Sequence, residues 1–205
     1  MKLGGSLADG RDLIKWLNIL AGPRKHGIVI VPGGGDFADQ VRNSQRKWKF
    51  DDRTAHRMAL LAMQQYGLML ASFRPEFATA GTLKGIRALL RENRVAVWMP
   101  DGEEVDRAGI PSGWEVTSDS LSAWLAGELY AERLVVVKSG PQSGILAGPE
   151  KLARQGILDS AFPGIWKKSG VALRIFHSTD YQTFAVELDA IFSSCPALRS
   201  TADAG

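Results

Sequence analysis

Two clusters of glycine each follow a short apolar run and lead into a segment with helical periodicity. Gly4 and Gly5 come directly after residues 1–3, and the run 28–31 ends in the turn Pro-Gly-Gly-Gly at 32–35. A glycine turn lets backbone N–H groups approach an anion closely, and the N-terminus of the following helix adds a favourable dipole. Two such strand–turn–helix units constrain the chain to an α/β fold, and they predict binding sites for two phosphate-sized ligands.

Short apolar runs alternate with helical segments along the chain, which is typical of a layered α/β fold around a largely parallel sheet. The predicted strands cover residues 1–3, 28–31, 95–99, 134–137 and 172–175. The predicted helices cover residues 11–20, 36–48, 52–70, 83–92, 120–129 and 179–192. Because the 205 residues contain no internal repeat, we expect one domain over 1–195 and a disordered tail over 196–205.

Two predicted elements are unusual in length or polarity. The strand over residues 1–3 is short, since a central strand usually holds about five or six residues. We therefore hypothesise that the natural chain starts a few residues upstream of Met1. The helix over 52–70 has little polar face, which indicates burial either in the core or at a subunit interface. A homodimer or larger homo-oligomer is expected on the second interpretation.

The composition is ordinary for a water-soluble globular protein, with 45% hydrophobic residues, 23% charged residues and a net charge of +3. The basic stretch 42–53 is interpreted as a solvated helix face, and the acidic stretch 100–113 as a solvated connection. The single cysteine, Cys195, excludes an internal disulfide, and neither a signal peptide nor a run of about 20 apolar residues is present. These features predict a cytoplasmic protein with no metal-ligand cluster and no nucleic-acid or membrane partner.

Three charged residues lie where the predicted elements would bring them to a phosphate. Lys2 precedes the first glycine turn and could neutralise a transferring phosphate as a point charge, which suggests a phosphotransferase. Lys138 ends a predicted strand, at the edge where ligands of parallel sheets bind, although a lysine there is equally compatible with solvation. Asp119 begins a predicted helix, where it either caps the helix or turns toward the phosphate and orients Lys2.

His56 lies in a polar cluster that follows the second glycine turn. With Asp52 and Arg57 it could line an acceptor pocket, whereas His26 and His177 show no spacing typical of a metal site or a nucleophile–base pair. The sequence contains neither a G-x-x-x-x-G-K-[ST] nor a G-x-G-x-x-G motif, which excludes the two commonest nucleotide-binding signatures.

Four motifs taken in order resemble the amino acid kinase family: Lys-x-Gly-Gly-Ser at 2–6, Pro-Gly-Gly-Gly at 32–35, Thr-Ser-Asp at 117–119 and the lysine-ended strand 134–138. The resemblance extends to about residue 175 and implies a three-layer α/β/α sandwich. Within the family, the stretches 31–39, 50–67, 116–126 and 157–163 are similar to the furan phosphate kinases of methanofuran-type cofactor biosynthesis and their methylotroph relatives.

The resemblance implies a kinase that depends on ATP and Mg²⁺, with Lys2 and Asp119 as its catalytic residues. It assigns nucleotide phosphates to Gly4, Gly5, Ser6 and Lys138, and the acceptor to Gly33, Gly34, Gly35, Asp52 and His56. Many family members carry a second active-site lysine in a late Gly-x-x-Pro-Lys stretch, where this chain reads Gly-Ile-Leu-Asp-Ser at 156–160. On the resemblance, Lys138 or Lys168 would take the place of that lysine.

The implied reaction transfers a phosphoryl group from ATP to a small molecule that already bears a phosphate. Such an acceptor oxygen is anionic at neutral pH, so the reaction needs no strong general base. The favoured acceptor is [5-(aminomethyl)furan-3-yl]methyl phosphate, giving its diphosphate in methanofuran or methylofuran one-carbon cofactor biosynthesis, with isopentenyl phosphate as a further candidate. The alternative from another class is a non-catalytic protein of the same fold that binds or stores nucleotides or oxyanions.

Overall fold

The central feature of the fold is a six-stranded sheet in which every neighbouring pair of strands is parallel. The computed structural model describes residues 1–7, 10, 12–22, 27–139 and 148–194, with the side chains of residues 6, 189 and 191–194 outside the description. The strands are β1 (Lys2–Leu3), β2 (Val29–Pro32), β3 (Phe77–Ala80), β4 (Val95–Trp98), β5 (Arg133–Lys138) and β6 (Ala172–His177), in the order β3-β4-β2-β1-β5-β6. The predicted parallel sheet is confirmed.

Helices cover both faces of this sheet. After a short 3₁₀ turn (Gly5–Leu7), the α-helices of the described chain are α1 (Asp12–Ala21), α2 (Gly35–Trp48), α3 (Asp52–Ser72), α4 (Leu83–Arg91), α5 (Gly102–Arg107), α6 (Ser118–Glu128), α7 (Pro149–Arg154), α8 (Phe162–Ser169) and α9 (Tyr181–Ser194). None of these helices has the length and apolar character that a membrane-spanning helix requires.

The alternation of side chains along each strand separates the core into two layers. Leu3 packs in one cluster with Trp16 of α1 and Phe184 of α9, whereas Val136 packs on the opposite face with Ala123 of α6. The three-layer α/β/α arrangement is therefore confirmed. Since β1 lies between β2 and β5, the carboxyl ends of these three strands meet at one edge of the sheet.

Four elements of the structure were not predicted: β3, α5, α7 and α8. The strand β3 has the sequence Phe-Ala-Thr-Ala, whose two alanines have a low preference for strands, and it is held at the sheet edge by pairing with β4. The helices α5 and α7 have only six residues each, too few to show a helical period. The interpretation of 100–113 as an irregular connection is wrong over α5, where the side chain of Asp101 caps the helix by accepting from Glu103 N at 2.7 Å.

Helix α3 is buried on one face only. His56, Met63 and Leu70 lie on the buried face, whereas Leu61 and Leu68 are 55% and 58% exposed. The apolar residues on one side of this helix therefore pack in the core, and leucines on its other side are exposed at the surface. The predicted tail over 196–205, Cys195 and His26 lie outside the described residues.

Candidate active site

The two glycine turns of the sequence form a single backbone contact at the carboxyl edge of the sheet. Gly33 N donates to Leu3 O at 2.8 Å, directly before the first turn. A Cβ atom added to Gly5 would lie 2.2 Å from Gly35 N, and one added to Gly33 would lie 2.2 Å from Gly5 N. Only glycine permits this approach, and Gly35 also adopts a positive φ of 53°. The two predicted phosphate turns therefore belong to one site.

Beside the turns, one carboxylate holds two lysines. Asp119 Oδ1 lies 2.7 Å from Lys2 Nζ, and Asp119 Oδ2 lies 2.6 Å from Lys138 Nζ. The side chains of Lys2 and Asp119 are only 4% and 3% exposed, and that of Lys138 is 16% exposed. All three residues predicted to act on phosphate are thus in direct contact.

The register of the strands explains this convergence. Lys2 of β1 is the partner of Val136 in β5, and Lys138 follows Val136 by two residues, so both lysines point to the same face of the sheet. Helix α6 covers that face and carries Asp119 in its first turn. The helix is capped by Thr117, whose side chain accepts from Asp119 N. The interpretation of Asp119 as the capping residue is therefore wrong.

Burial and charge act against each other in this cluster. Burial lowers the pKa of Lys2 to about 8, with a further lowering by Lys138 and partial compensation by Asp119. For Asp119, burial acts to raise the pKa of the carboxyl, but the two ammonium groups outweigh it and hold the pKa below its usual value. Asp119 is consequently an anion near neutral pH, and Lys2 loses its proton more readily than an ordinary lysine.

The structure distinguishes the two lysines that could replace the missing late lysine. Lys138 contacts Asp119 at the end of β5. Lys168 lies in the last turn of α8 and is exposed to solvent. The geometry thus places Lys138, and not Lys168, beside Lys2. The segment 140–147, which follows the end of β5, lies outside the described residues.

A cavity of about 190 Å³ opens next to the glycine turns. Its lining combines polar groups with an apolar floor and consists of Gly5, Gly34, Gly35, Ala38, Asp39, Arg42, His56, Ala59, Leu60, Met63, Trp114, Val116, Thr117, Ser118 and Leu121. Ser118 of the lining directly precedes Asp119 in the chain, whereas Lys2, Asp119 and Lys138 themselves do not line the cavity. Of the residues predicted to bind the acceptor, Gly34, Gly35 and His56 lie on its wall.

His56 is the polar side chain of α3 that reaches this cavity. The residue is 4% exposed, and its Nε2 atom is buried without a hydrogen-bond partner among the described residues. Burial lowers the pKa of its imidazole. A hydrogen bond to the Gly113 backbone and the negative charges of Asp106 and Glu115 act in the opposite direction but are weaker. A buried, unpaired nitrogen is costly unless a partner occupies it, which points to a ligand in the cavity.

Arg42 and Trp114 form a wall of the cavity that the sequence analysis missed. The Arg42 guanidinium lies over the Trp114 ring at 4.2 Å from its centroid, and Trp114 Nε1 donates to Gln45 Oε1 at 2.6 Å. The Arg42 side chain is 43% exposed and pairs with Asp39 at 2.8 Å, so the interpretation of 42–53 as a solvated face holds for Arg42 even though this residue also lines the cavity. The signal was present in the spacing of Gly35, Ala38 and Arg42 in α2, which share one face of the helix at intervals of three and four residues.

Other predicted site residues do not line the cavity. Asp52 is exposed at the start of α3, where its Oδ1 accepts from Gln45 Nε2 at 2.8 Å. Arg57 pairs with Asp106 of α5 at 2.7 Å. Gly4 and Gly33 are buried behind the lining residues, and the side chain of Ser6 lies outside the described part of the structure. An acceptor role for Asp52 stays a prediction that this geometry does not favour.

The described residues suit a phosphate-bound cation better than a protein-bound one. No group of three His, Cys, Asp or Glu side chains within the described ranges is placed to hold a metal ion. Mg²⁺ commonly binds through substrate phosphates with few protein ligands. Backbone amides of the glycine turns and the ammonium groups of Lys2 and Lys138 are donors for anions, so the donor set fits a nucleotide phosphate that brings its own magnesium.

Comparison with known proteins identifies the family. Residues 1–151 match the sequence model of the amino acid kinase family, and the chain belongs to that family. A relative from Methanocaldococcus jannaschii, "[5-(aminomethyl)furan-3-yl]methyl phosphate kinase", is 30% identical over 138 residues. The match covers 67% of this chain and 63% of that protein, so the chain spans a little under two thirds of the relative's length.

The fold is also found in a solved structure. The uridylate kinase from Archaeoglobus fulgidus superposes with a TM-score of 0.65 over 92% of this chain and 93% of that chain, at 17% sequence identity. This likeness shows the fold.

Proposed function

We propose that this protein is an ATP-dependent kinase that phosphorylates a small molecule already bearing a phosphate. In the reaction, an oxygen of the acceptor phosphate forms a bond to the γ-phosphorus of ATP, and the bond from that phosphorus to the β–γ bridging oxygen breaks. The products are ADP and the diphosphate of the acceptor. The acceptor oxygen is anionic, so no proton has to be removed before it attacks.

The observation that carries the proposal is the position of the cavity relative to the lysines. Phosphoryl transfer depends mainly on holding the two reactants in line and neutralising charge. Two residues of the cavity wall are close to the Lys2–Asp119–Lys138 cluster along the chain: Ser118 directly precedes Asp119, and Gly5 follows Lys2 by three residues. An acceptor in the cavity and a nucleotide along β5 would therefore bring their phosphates together at Lys2.

Each group in the cluster has a separate task in this proposal. Lys2 neutralises charge on the transferring phosphoryl group, Lys138 binds a nucleotide phosphate, and Asp119 fixes the direction of both lysines. The amide groups at Gly4 and Gly5 hold nucleotide phosphates, and those at Gly34 and Gly35, at the start of α2, hold the acceptor phosphate, since Gly33 N already donates to Leu3 O. Mg²⁺, bound through the nucleotide phosphates, supplies further charge neutralisation.

The chemistry of the cavity supports a compact acceptor. Its volume of about 190 Å³ is below the roughly 300–1,000 Å³ of pockets that take drug-sized ligands. Arg42 is a cationic partner for an anionic group, the unpaired Nε2 of His56 is left for another polar group of the ligand, and Leu60 and Met63 provide an apolar floor. With the named relative, these features support [5-(aminomethyl)furan-3-yl]methyl phosphate as acceptor, and thus a step in building a methanofuran-type one-carbon cofactor.

The test is acceptor-dependent release of ADP. The protein is mixed with ATP and Mg²⁺ and a panel of acceptors that contains the furan methyl phosphate, isopentenyl phosphate and UMP, each with a no-acceptor control. We expect release only with the furan phosphate, and a product heavier by one phosphoryl group in mass spectrometry. Release with another member of the panel would retain the kinase and replace the acceptor. Tight ATP binding without release for any acceptor would instead indicate a binding or storage protein.

Helix α3 supports a further part of the proposal, that the chain forms a homodimer or a larger homo-oligomer. Leu61 and Leu68 lie on its exposed face and are spaced at two helical turns. Sedimentation velocity on the unmodified chain and on a Leu61→Glu, Leu68→Glu double variant tests this interface. A monomeric wild type, or a variant that assembles normally, would exclude it.

A further inference from the structure

Asp159, between α7 and α8, gathers five hydrogen bonds onto one carboxylate. Its Oδ2 accepts from Thr117 N at 2.8 Å, Thr117 Oγ1 at 2.8 Å and Ser120 N at 3.0 Å. Its Oδ1 accepts from Phe162 N at 2.9 Å and from the hydroxyl of Ser120. One side chain thus joins the first turn of α6 to the start of α8.

The segment that carries this carboxylate is itself fixed in the core. Leu158 is 2% exposed and Phe162 is fully buried, so apolar anchors flank Asp159 closely on both sides. Ala161 N also donates to Glu115 O at 3.0 Å, which adds a backbone connection to the segment that precedes α6. The carboxylate is therefore presented to α6 from a rigid support.

A negative charge at this place satisfies the amino end of α6. The first turn of a helix has unpaired N–H groups and a positive dipole end, both of which a carboxylate stabilises. Because Asp159 already accepts from Thr117 N and Ser120 N, these amides are occupied and do not form a phosphate site. Phosphate binding is left to the glycine turns and the lysines.

The turn that Asp159 holds is the one that carries the catalytic carboxylate. Asp119 lies between Thr117 and Ser120, both of which are bonded to Asp159. Its two oxygens contact lysines on two different strands, so a small rotation of this turn would break one contact or the other. Reacting groups misplaced by about 1 Å can lower a rate by about 10²-fold.

We propose that Asp159 is a positioning residue for phosphoryl transfer: it fixes the first turn of α6 so that Asp119 holds Lys2 and Lys138 together. The inference rests on the proposed function for its kinetic consequence, but its geometric part is independent of turnover. Asp159 also acts on Lys2 through space, since its charge raises the pKa of that ammonium against the effect of burial.

The experiment compares Asp159→Asn with two other variants. Asparagine keeps the shape of the side chain and one oxygen that can accept from Thr117 N and Ser120 N, but it removes the charge. Its amide N–H₂ then faces Phe162 N–H, which is also a donor. Ser120→Ala removes one hydrogen bond to Asp159 and leaves the charge. Leu152→Ala leaves a cavity in the fully buried core beneath the same segment. Because the Leu152 side chain makes no polar contact with α6 or with the lysines, this variant measures the effect of destabilisation alone.

Two measurements are made on each variant. The first is kcat and the KM for ATP with the furan methyl phosphate as acceptor. The second is the titration of Lys2 and Lys138, followed by NMR with ¹³Cε-labelled lysine and assigned with Lys2→Arg and Lys138→Arg. For Asp159→Asn we expect kcat to fall about 10²-fold with an ATP KM within a few-fold of wild type. We also expect Lys2 to titrate at a pH lower by about half a unit or more.

The controls separate positioning from stability. Ser120→Ala is expected to lose less than about tenfold in kcat and to leave the Lys2 titration unchanged, and Leu152→Ala to melt earlier with kcat and titration intact. Asp159→Asn with a wild-type kcat, or with losses matched by Leu152→Ala, would overturn the inference. If the wild type transfers phosphate to no acceptor, the proposed function fails, and the Lys2 titration still decides. An unchanged Lys2 curve in Asp159→Asn then overturns the inference, and a curve shifted to lower pH with a normal Leu152→Ala supports it.

Discussion

Asp119 contacts two ammonium groups at once, with Lys2 Nζ at 2.7 Å from one carboxylate oxygen and Lys138 Nζ at 2.6 Å from the other. One carboxylate cannot neutralise two ammonium groups, so the buried cluster keeps an excess of positive charge. A phosphate that reaches the carboxyl edge of the sheet meets that excess in a region of low dielectric, where it acts strongly.

Replacement of Lys2 by alanine is expected to lower kcat by about 10³-fold, because it removes a preorganised cation from the transferring group. Lys138 would still pair with Asp119, so the variant is expected to fold. Steady-state ADP release measures the effect, and Lys15→Ala, at an exposed lysine of α1, serves as the matched control with an unchanged rate. A near-normal rate in Lys2→Ala would show that Lys2 is structural.

Substitution of Asp119 by asparagine leaves two buried ammonium groups without their counter-charge. We expect a folded protein with kcat lower by about 10²-fold or more and a free energy of unfolding lower by roughly 3 kcal/mol. Thr82→Ala is the matched control, since Thr82 caps α4 by accepting from Gly85 N at 3.1 Å. That control is expected to lose about 1 kcal/mol and no activity. Loss of stability alone in Asp119→Asn would mean that the carboxylate has no part in the reaction.

The pH dependence follows from the lowered pKa of Lys2, about 8 in the folded free protein against 10.5 ordinarily. We expect kcat/KM for ATP to fall above about pH 8, tenfold per pH unit, as Lys2 loses its proton. Any activity retained by Lys2→Arg should show no such fall, because arginine keeps its charge. A wild-type profile that stays flat to pH 10 is incompatible with a charged Lys2 in the reaction.

Stability is expected to change in the opposite direction over the same pH range. Between about 8 and 10.5 the unfolded chain binds the Lys2 proton and the folded chain does not, so the Lys2 contribution to the free energy of unfolding rises with pH there. Urea unfolding at pH 7, 9 and 10, with Lys2→Met as reference, measures this contribution. An equal pH dependence in both proteins would contradict it.

His56→Phe separates the binding of the acceptor from the stability of the fold. The substitution removes the buried unpaired Nε2 together with the hydrogen bond to the Gly113 backbone, so the free energy of unfolding should fall by about 1–2 kcal/mol. The KM for the acceptor is expected to rise about tenfold or more, with the KM for ATP unchanged. Thr82→Ala, at the start of α4 and outside the cavity lining, should leave both constants unchanged. A rise in the KM for ATP alone would indicate that His56 contacts the nucleotide and not the acceptor.

Gly33→Ala tests the contact between the two glycine turns. Its Cβ would lie 2.2 Å from Gly5 N, so one backbone must move, at a cost of about 3 kcal/mol or more and with loss of activity. Gly164→Ala in α8 is the matched control, since its Cβ would meet nothing within 4 Å and alanine favours a helix by about 1 kcal/mol. Thermal unfolding of both variants provides the comparison, and an unchanged melting temperature in Gly33→Ala would exclude the close contact.

The sequence by itself determined the class of fold and the main polar residues of the site. Alternating apolar runs and helical segments identify strands and helices, and the two glycine turns identify the places where helices begin over an anion site. These signals are local, because hydrophobic period and turn chemistry act over a few residues. Helices of six residues and the edge strand β3 were missed, since their form depends on neighbours in space.

Only the tertiary structure decided which of these residues act together. Lys2, Asp119 and Lys138 are far apart in the chain, and they meet because β1 lies beside β5 and α6 covers the face to which both lysines point. The same holds for the bonds of Asp159 with Thr117 and Ser120, which are 42 and 39 residues away in the chain, whereas its bond from Phe162 N is local. Contacts between distant segments depend on strand order and register, and short-range periodicity contains neither.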